Sequence, residues 1–322
     1  MRRLALTFLL VLVGSHPASA RPARGEPVYK GAIVVDAATG AVLFANHADE
    51  VSPPASMTKL MTFAVLQDRI ASGALSLQSR VRVVAADTRA APSIIGLKVN
   101  EVFPLEELIY AMMIPSANDA ALAVARDVAG SVPAFVSLMN AKARELGMNR
   151  TTFRSPNGLP PPSHRVADGD LTTPRDFALL CRYLILHTPI LKYTSVKNRQ
   201  FGVNYRFPST PMTNHNHLLG KIEGVDGLKT GFTNSAGFCL ATTAKRQGRR
   251  IIVVMMDCPD SRDRDLAVIQ LIESSFSMRP FVQPSIAAPA TTSAGPGSGL
   301  ASPTRPAAGS PTIQFTVPGS GH

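Results

Sequence analysis

The sequence predicts an α+β fold, an antiparallel sheet built from an N-terminal hairpin and C-terminal strands, with helices packed on it and a helical subdomain between. Three observations carry this. Two short apolar runs flank a glycine turn near the start of the chain, two longer apolar runs lie near its end, and the segments between read as helices.

In chain order, Gly31-Ala32-Ile33-Val34-Val35-Asp36 and Val42-Leu43-Phe44 surround Ala38-Thr39-Gly40, a hairpin pattern. Residues 56–70 are helical by length, with Leu60, Phe63 and Ala64 on one side. Pro104 followed by Glu106 and Glu107 opens a second helix, since proline suits a first turn and acids suit the N-terminal dipole. Residues 117–128 and 133–146 read as two more. Thr173-Pro174-Arg175-Asp176 starts another, with threonine as cap and proline at the first position. Residues 238–244 and 250–256 are strands joined by Lys245-Arg246-Gln247-Gly248-Arg249, read as a solvated basic turn. Residues 264–276 form a closing helix.

The two ends of the chain differ from this body. Arg2 and Arg3 precede a ten-residue apolar run broken only by Thr7, and Ala18-Ser19-Ala20 follows. That is the pattern of a secretory signal peptide over residues 1–20, too short to span a bilayer. Its removal lowers the net charge from +11 to +9, because Arg2 and Arg3 are its only charges. An exported, periplasmic or wall-facing protein meets little nucleic acid, so the basic surplus is expected to face cell wall or membrane surface rather than nucleic acid. At the other end, residues 283–322 contain 7 Pro and 6 Gly, with Arg305 as the only formal charge. Such a tail buries too little apolar surface to offset its ordering entropy and is expected to be disordered. The folded domain is thus expected within residues 21–282.

Three short motifs carry the chemistry. Ser56-Met57-Thr58-Lys59 puts a hydroxyl and an amine at positions i and i+3, on one helix face. Serine is a weak nucleophile until a base takes its proton, and lysine serves only when its amine is neutral. Ser116-Ala117-Asn118 offers a hydroxyl able to relay protons and an amide. Lys229-Thr230-Gly231 offers a cation and a hydroxyl for a carboxylate, with a glycine that permits close backbone approach. Each alone is weak, since capping serines and surface lysines are common. Together they occur in order on helix, loop and strand, 60 and 113 residues apart.

With these motifs the sequence resembles the serine penicillin-recognising enzymes. Among them it is similar to the low-molecular-mass penicillin-binding proteins, the D-alanyl-D-alanine carboxypeptidases of the peptidase S11 type. Their contexts match too, as do Ser155-Pro156-Asn157-Gly158-Leu159, Asn214-His215-Asn216 and Ala236-Gly237-Phe238-Cys239-Leu240. The resemblance implies a transpeptidase/β-lactamase-like fold and assigns roles. Ser56 would be the nucleophile, Lys59 its general base and Ser116 a proton relay to the leaving D-Ala. Asn118 would orient the substrate amide or the Lys59 amine. Lys229 and Thr230, with Gly231 beside them, would bind the terminal carboxylate. Ser56 and Phe232 would give backbone N–H groups to the oxyanion, and Arg264 would support the carboxylate field. Lys229 is also expected to disfavour protonation of Lys59.

The resemblance further implies peptidoglycan pentapeptide as substrate, β-lactams as covalent inhibitors, and no cofactor or metal. Many such enzymes add a β-rich second domain and an amphipathic anchor. Here only the Pro/Gly tail follows, so membrane attachment is expected to be weak or absent. Alternatives are a D-Ala cross-link endopeptidase, a class A-like β-lactamase and a non-catalytic wall binder. No Glu occurs from Leu146 to Ile222, where a β-lactamase places its deacylating carboxylate, although Asp168 and Asp170 lie there. His215 and His217 are read as structural, and Cys181, Cys239 and Cys258 as small buried residues.

Overall fold

The computed structural model describes residues 28–277, all within the first of two units, Met1–Arg279. The expected signal peptide and the Pro/Gly tail lie outside the described residues.

The chain forms β1 (Gly31–Asp36), β2 (Val42–Asn46), a 3-10 turn (Ala55–Thr58) leading into α1 (Lys59–Ala71), β3 (Arg80–Arg82) and β4 (Val102–Pro104). Helices α2 (Leu105–Met113), α3 (Asn118–Ala129), α4 (Val132–Glu145), α5 (Pro174–His187) and α6 (Ile190–Thr194) follow. Then come β5 (Asn198–Phe201), β6 (Thr210–Thr213), β7 (Val225–Thr233), β8 (Gly237–Arg246), β9 (Arg249–Cys258) and α7 (Ser261–Ser277). The main sheet has the order β2-β1-β9-β8-β7, antiparallel throughout, so the N-terminal hairpin joins the C-terminal strands through β1 and β9.

Local chemistry fixes the elements. Asp36 Oδ1 accepts from the backbone N–H groups of Ala38 and Thr39 and from Thr39 Oγ1, closing the β1–β2 turn, and Gly40 takes φ +77°. Thr173 Oγ1 caps α5 by accepting from Asp176 N, with Pro174 at the first position, as the sequence indicates. Strand β9 is buried on both faces. Ile251, Val253 and Met255 pack with Val268 and Ile272 of α7, while Ile252, Val254 and Met256 join the core on the other side with Phe63 and Leu60 of α1. This is why its sequence is a continuous apolar run rather than an alternating one. Helix α1 is buried over its first two turns, because it packs among α2, α3 and α4 of the helical subdomain and α5, which lies on the sheet. Truncating Phe63 there is expected to cost about 3–5 kcal/mol.

The turn between β8 and β9 differs from expectation. Only Gln247 and Gly248 connect the strands, at φ +49° and +81°. The flanking arginines are paired rather than simply solvated. Arg246 holds Glu273, Arg249 meets Asp36 and Arg250 holds Asp226.

Candidate active site

The 3-10 turn brings Ser56 and Lys59 together more directly than an α-helix would, because residues i and i+3 eclipse at three residues per turn. Lys59 Nζ lies 3.0 Å from Ser56 Oγ, 2.7 Å from Asn118 Oδ1 and 2.9 Å from the carbonyl oxygen of Asn157. Lys59 is fully buried. Burial holds its amine well below the usual lysine range, and the charge of Lys229 adds to this against the pull of Asp170 and Asp119. The expected help from Lys229 is therefore present, second to desolvation.

Asn118 begins α3, where its Oδ1 faces Lys59 and its Nδ2 donates to the carbonyl of Pro92. Ser116 sits just before that helix at φ +65°, a conformation rare for a non-glycine residue. Its Oγ is buried and has no hydrogen-bond partner among the described residues. Asp119 steadies the wall opposite by accepting from the backbone N–H groups of Ile95, Gly96 and Leu97.

Edge strand β7 forms the third side. Gly231 packs so closely on the Ser56 turn that a Cβ there would lie 2.6 Å from the Pro54 carbonyl oxygen. Lys229 is buried and donates to the Thr230 carbonyl oxygen at 3.1 Å. Burial first, and then the neighbouring Arg264, push its amine down to about 7. Arg264 itself is buried at the start of α7, bonded to Asp265 Oδ1 at 3.0 and 2.6 Å, and not a solvated helix charge.

These elements enclose a cavity of about 350 Å³. Ser56, Ser116, Thr230, Gly231, Phe232 and Arg264 line it. Lys59, Asn118 and Lys229 stand behind that lining. The cavity can hold a small anionic group at Thr230 and Arg264 while presenting a carbonyl to Ser56. The two histidines read as structural also border it. Burial pushes His215 down to about 4, so it is neutral near pH 7. Among the described residues no group of three or more His, Cys, Asp or Glu is arranged to hold a metal ion.

Asp170 and Asp168 have different surroundings. Asp170 is buried and accepts from Thr58 Oγ1, Ser155 Oγ and the backbone N–H groups of Arg154 and Ser155. Asp168 is exposed and bonded to Ser163. Neither lines the Ser56 cavity. The structural role of Asp170, and the use of the Asn157 carbonyl by Lys59, were not legible from spacing. The only signal was the Ser155-Pro156-Asn157-Gly158 string.

A family model described as D-alanyl-D-alanine carboxypeptidase, Peptidase S11, matches residues 20–260. This chain belongs to the Peptidase S11 family. It is 31% identical over 248 residues to the D-alanyl-D-alanine carboxypeptidase DacF of Bacillus subtilis, covering 77% of this chain and 62% of that one. It is 35% identical over 240 residues to the D-alanyl-D-alanine carboxypeptidase DacC of Escherichia coli, covering 72% and 57%. It thus spans about three fifths of the length of these two relatives. Among solved structures, Penicillin-Binding Protein D2 from Listeria monocytogenes, in its ampicillin-bound form, has a TM-score of 0.69 and 31% identity. That match covers 79% of this chain and all of the other. The S11 family fold accounts for the α+β architecture, in which the sheet edge, the Ser56 turn and the α2–α4 subdomain converge on one cavity.

Proposed function

We propose that this protein is an exported serine-type D-alanyl-D-alanine carboxypeptidase that trims peptidoglycan pentapeptides, and that β-lactams acylate it as substrate mimics. One observation carries the reading: a fully buried lysine amine stands 3.0 Å from the Ser56 hydroxyl.

A neutral Lys59 accepts the Ser56 proton while Oγ attacks the carbonyl carbon of the penultimate D-Ala. The resulting oxyanion takes the backbone N–H groups of Ser56 and Phe232. Lys229, Thr230 and Arg264 bind the terminal carboxylate, and Gly231 lets β7 come close enough for this. As the peptide bond breaks, Lys59 passes that proton to the leaving D-Ala amine through the Ser116 hydroxyl, which has no hydrogen-bond partner among the described residues, and Lys59 is left neutral again. Asn118 orients the Lys59 amine, since its Nδ2 is already engaged by Pro92. Water, deprotonated by Lys59, then hydrolyses the Ser56 ester and returns the hydroxyl.

The test is D-Ala release from a pentapeptide ending in D-Ala-D-Ala, with the unmutated protein and Ser56→Ala side by side. Release by the first alone is expected. Equal release by both overturns the assignment of Ser56. Release only from a cross-linked dimer makes the protein an endopeptidase instead.

A further inference from the structure

Phe232 and Phe238 stack with centroids 4.2 Å apart and planes 27° from parallel. The pair forms a ridge. On one side lies the Ser56 cavity, and on the other a second hollow of about 530 Å³. The same two rings line the second hollow, together with Asn234, Gly237, Asp257 and Cys258. The carboxypeptidase mechanism uses none of those four residues.

Asp257 is placed there by its backbone. It takes φ +59° at the bulge between β8 and β9. A Cβ on Gly237 would lie 2.6 Å from Asp257 Oδ1, so that glycine leaves the carboxylate its space. Among the described residues neither carboxylate oxygen accepts a hydrogen bond or enters an ion pair. Lys30, which attracts it from a distance, donates to the Val51 carbonyl and pairs with Glu50. A half-buried carboxylate beside stacked aromatic rings suits an ammonium carried on an apolar stem, which lies over the rings while the charge reaches the acid.

We propose that this hollow is a subsite for an amine-bearing side chain of the peptide substrate, with Asp257 as counter-charge and the Phe232–Phe238 ridge under the methylene stem. The inference rests on reading the Ser56 cavity as a D-Ala-D-Ala site. Strand β7 is the sheet edge, so an extended peptide can lie along it past Phe232 and send alternate side chains to opposite faces. Asp257 belongs to β9, but its carboxylate reaches over Gly237 of β8, where a Cβ would lie 2.6 Å from Oδ1, and β8 is two strand spacings of about 4.8 Å from such a peptide. That is about the span of a lysine-like stem plus a hydrogen bond, and a short side chain would not cover it.

The experiment compares two peptides ending in X-D-Ala-D-Ala, where X carries a free or an acetylated ε-amine. Their affinities for Ser56→Ala protein are measured by calorimetry, which reads the subsite without turnover. The free amine is expected to bind about three- to tenfold more tightly at low salt, less so at high salt. In the Ser56→Ala, Asp257→Asn protein the ratio is expected to fall to about one. A ratio is unaffected by partial loss of folded protein. Equal affinities in the parent, or a preference that survives Asp257→Asn, overturn the subsite. A preference that depends on Asp257, with no D-Ala release by the unmutated protein, supports the subsite and overturns the carboxypeptidase reading instead.

Discussion

Lys59 Nζ and Ser56 Oγ meet at 3.0 Å in a geometry that suits a neutral lysine. A neutral amine has two hydrogens and one lone pair. The two carbonyl oxygens, Asn118 Oδ1 and Asn157 O, can only accept, and they take both hydrogens. In the ammonium form Nζ donates to Ser56 Oγ as well, whereas in the neutral form its lone pair is left to accept the Ser56 proton. Asn118 cannot be turned to offer its amide nitrogen without losing its bond to Pro92. Lys59→Met keeps the length of the side chain and removes the base. It is expected to lower kcat/KM for D-Ala release about 10²–10⁴-fold with Ser56 intact. Steady-state kinetics and circular dichroism of the variant check this together.

Lys229 sets function against stability. Its amine is buried beside Arg264 and titrates at about 7, against about 10.4 in the unfolded chain. Between these values the unfolded state binds more protons than the folded one. Stability from this group therefore falls as pH drops from about 10.4 to about 7, and is level below that. Lys229→Met is expected to raise the Tm, most at pH 6 and least at pH 10. The same variant should raise KM about 10–100-fold, since a charge-assisted bond to the substrate carboxylate is lost. Scanning calorimetry at both pH values, with kinetics at one, reads both effects.

Gly231 is a contact that sequence spacing only hints at. An alanine Cβ would meet the Pro54 carbonyl at 2.6 Å, Ala55 Cβ at 3.2 Å and Met57 Cγ at 3.3 Å. Relief requires β7 to move away from the Ser56 turn. Gly231→Ala is expected to cost about 1–3 kcal/mol of stability and on the order of 10² in kcat. Denaturant titration and single-turnover acylation separate the two.

A β-lactam should acylate Ser56 and remain there. After peptide acylation the leaving D-Ala diffuses out and opens a place for water, but the leaving nitrogen of a cyclic amide stays tethered. Among the described residues no carboxylate lines the cavity to activate water, and the buried Asp170 outside it is occupied by Thr58, Ser155 and two backbone N–H groups. Intact mass spectrometry is expected to show one penicilloyl adduct persisting far longer than the turnover time on peptide. Rapid loss of the adduct would favour the β-lactamase alternative.

The sequence showed the large elements and the three motifs well, because each rests on a local signal. The apolar run of β9, the Thr173 cap and the S-x-x-K spacing need no tertiary context. What it did not show depends on contacts distant in the chain. The short pairs β3–β4 and β5–β6 carry too few residues for a periodic pattern. The basic turn after β8 looked solvated because its partners, Asp36, Asp226 and Glu273, are far away in sequence. The Asn157 carbonyl is a backbone group, and no residue type announces its use by Lys59. Conversely, the positive φ of Ser116 falls on a residue type that rarely adopts it, and no local pattern in the sequence announces it.

The central claim is that Lys59 is neutral at the pH of catalysis and so can take the Ser56 proton. Titration of the Lys59 ε-carbon signal by NMR, assigned with Lys59→Met, tests it most directly. A signal that titrates well below the free-lysine range is the predicted result. An amine that titrates near 10.4, as in a free lysine, would contradict the account.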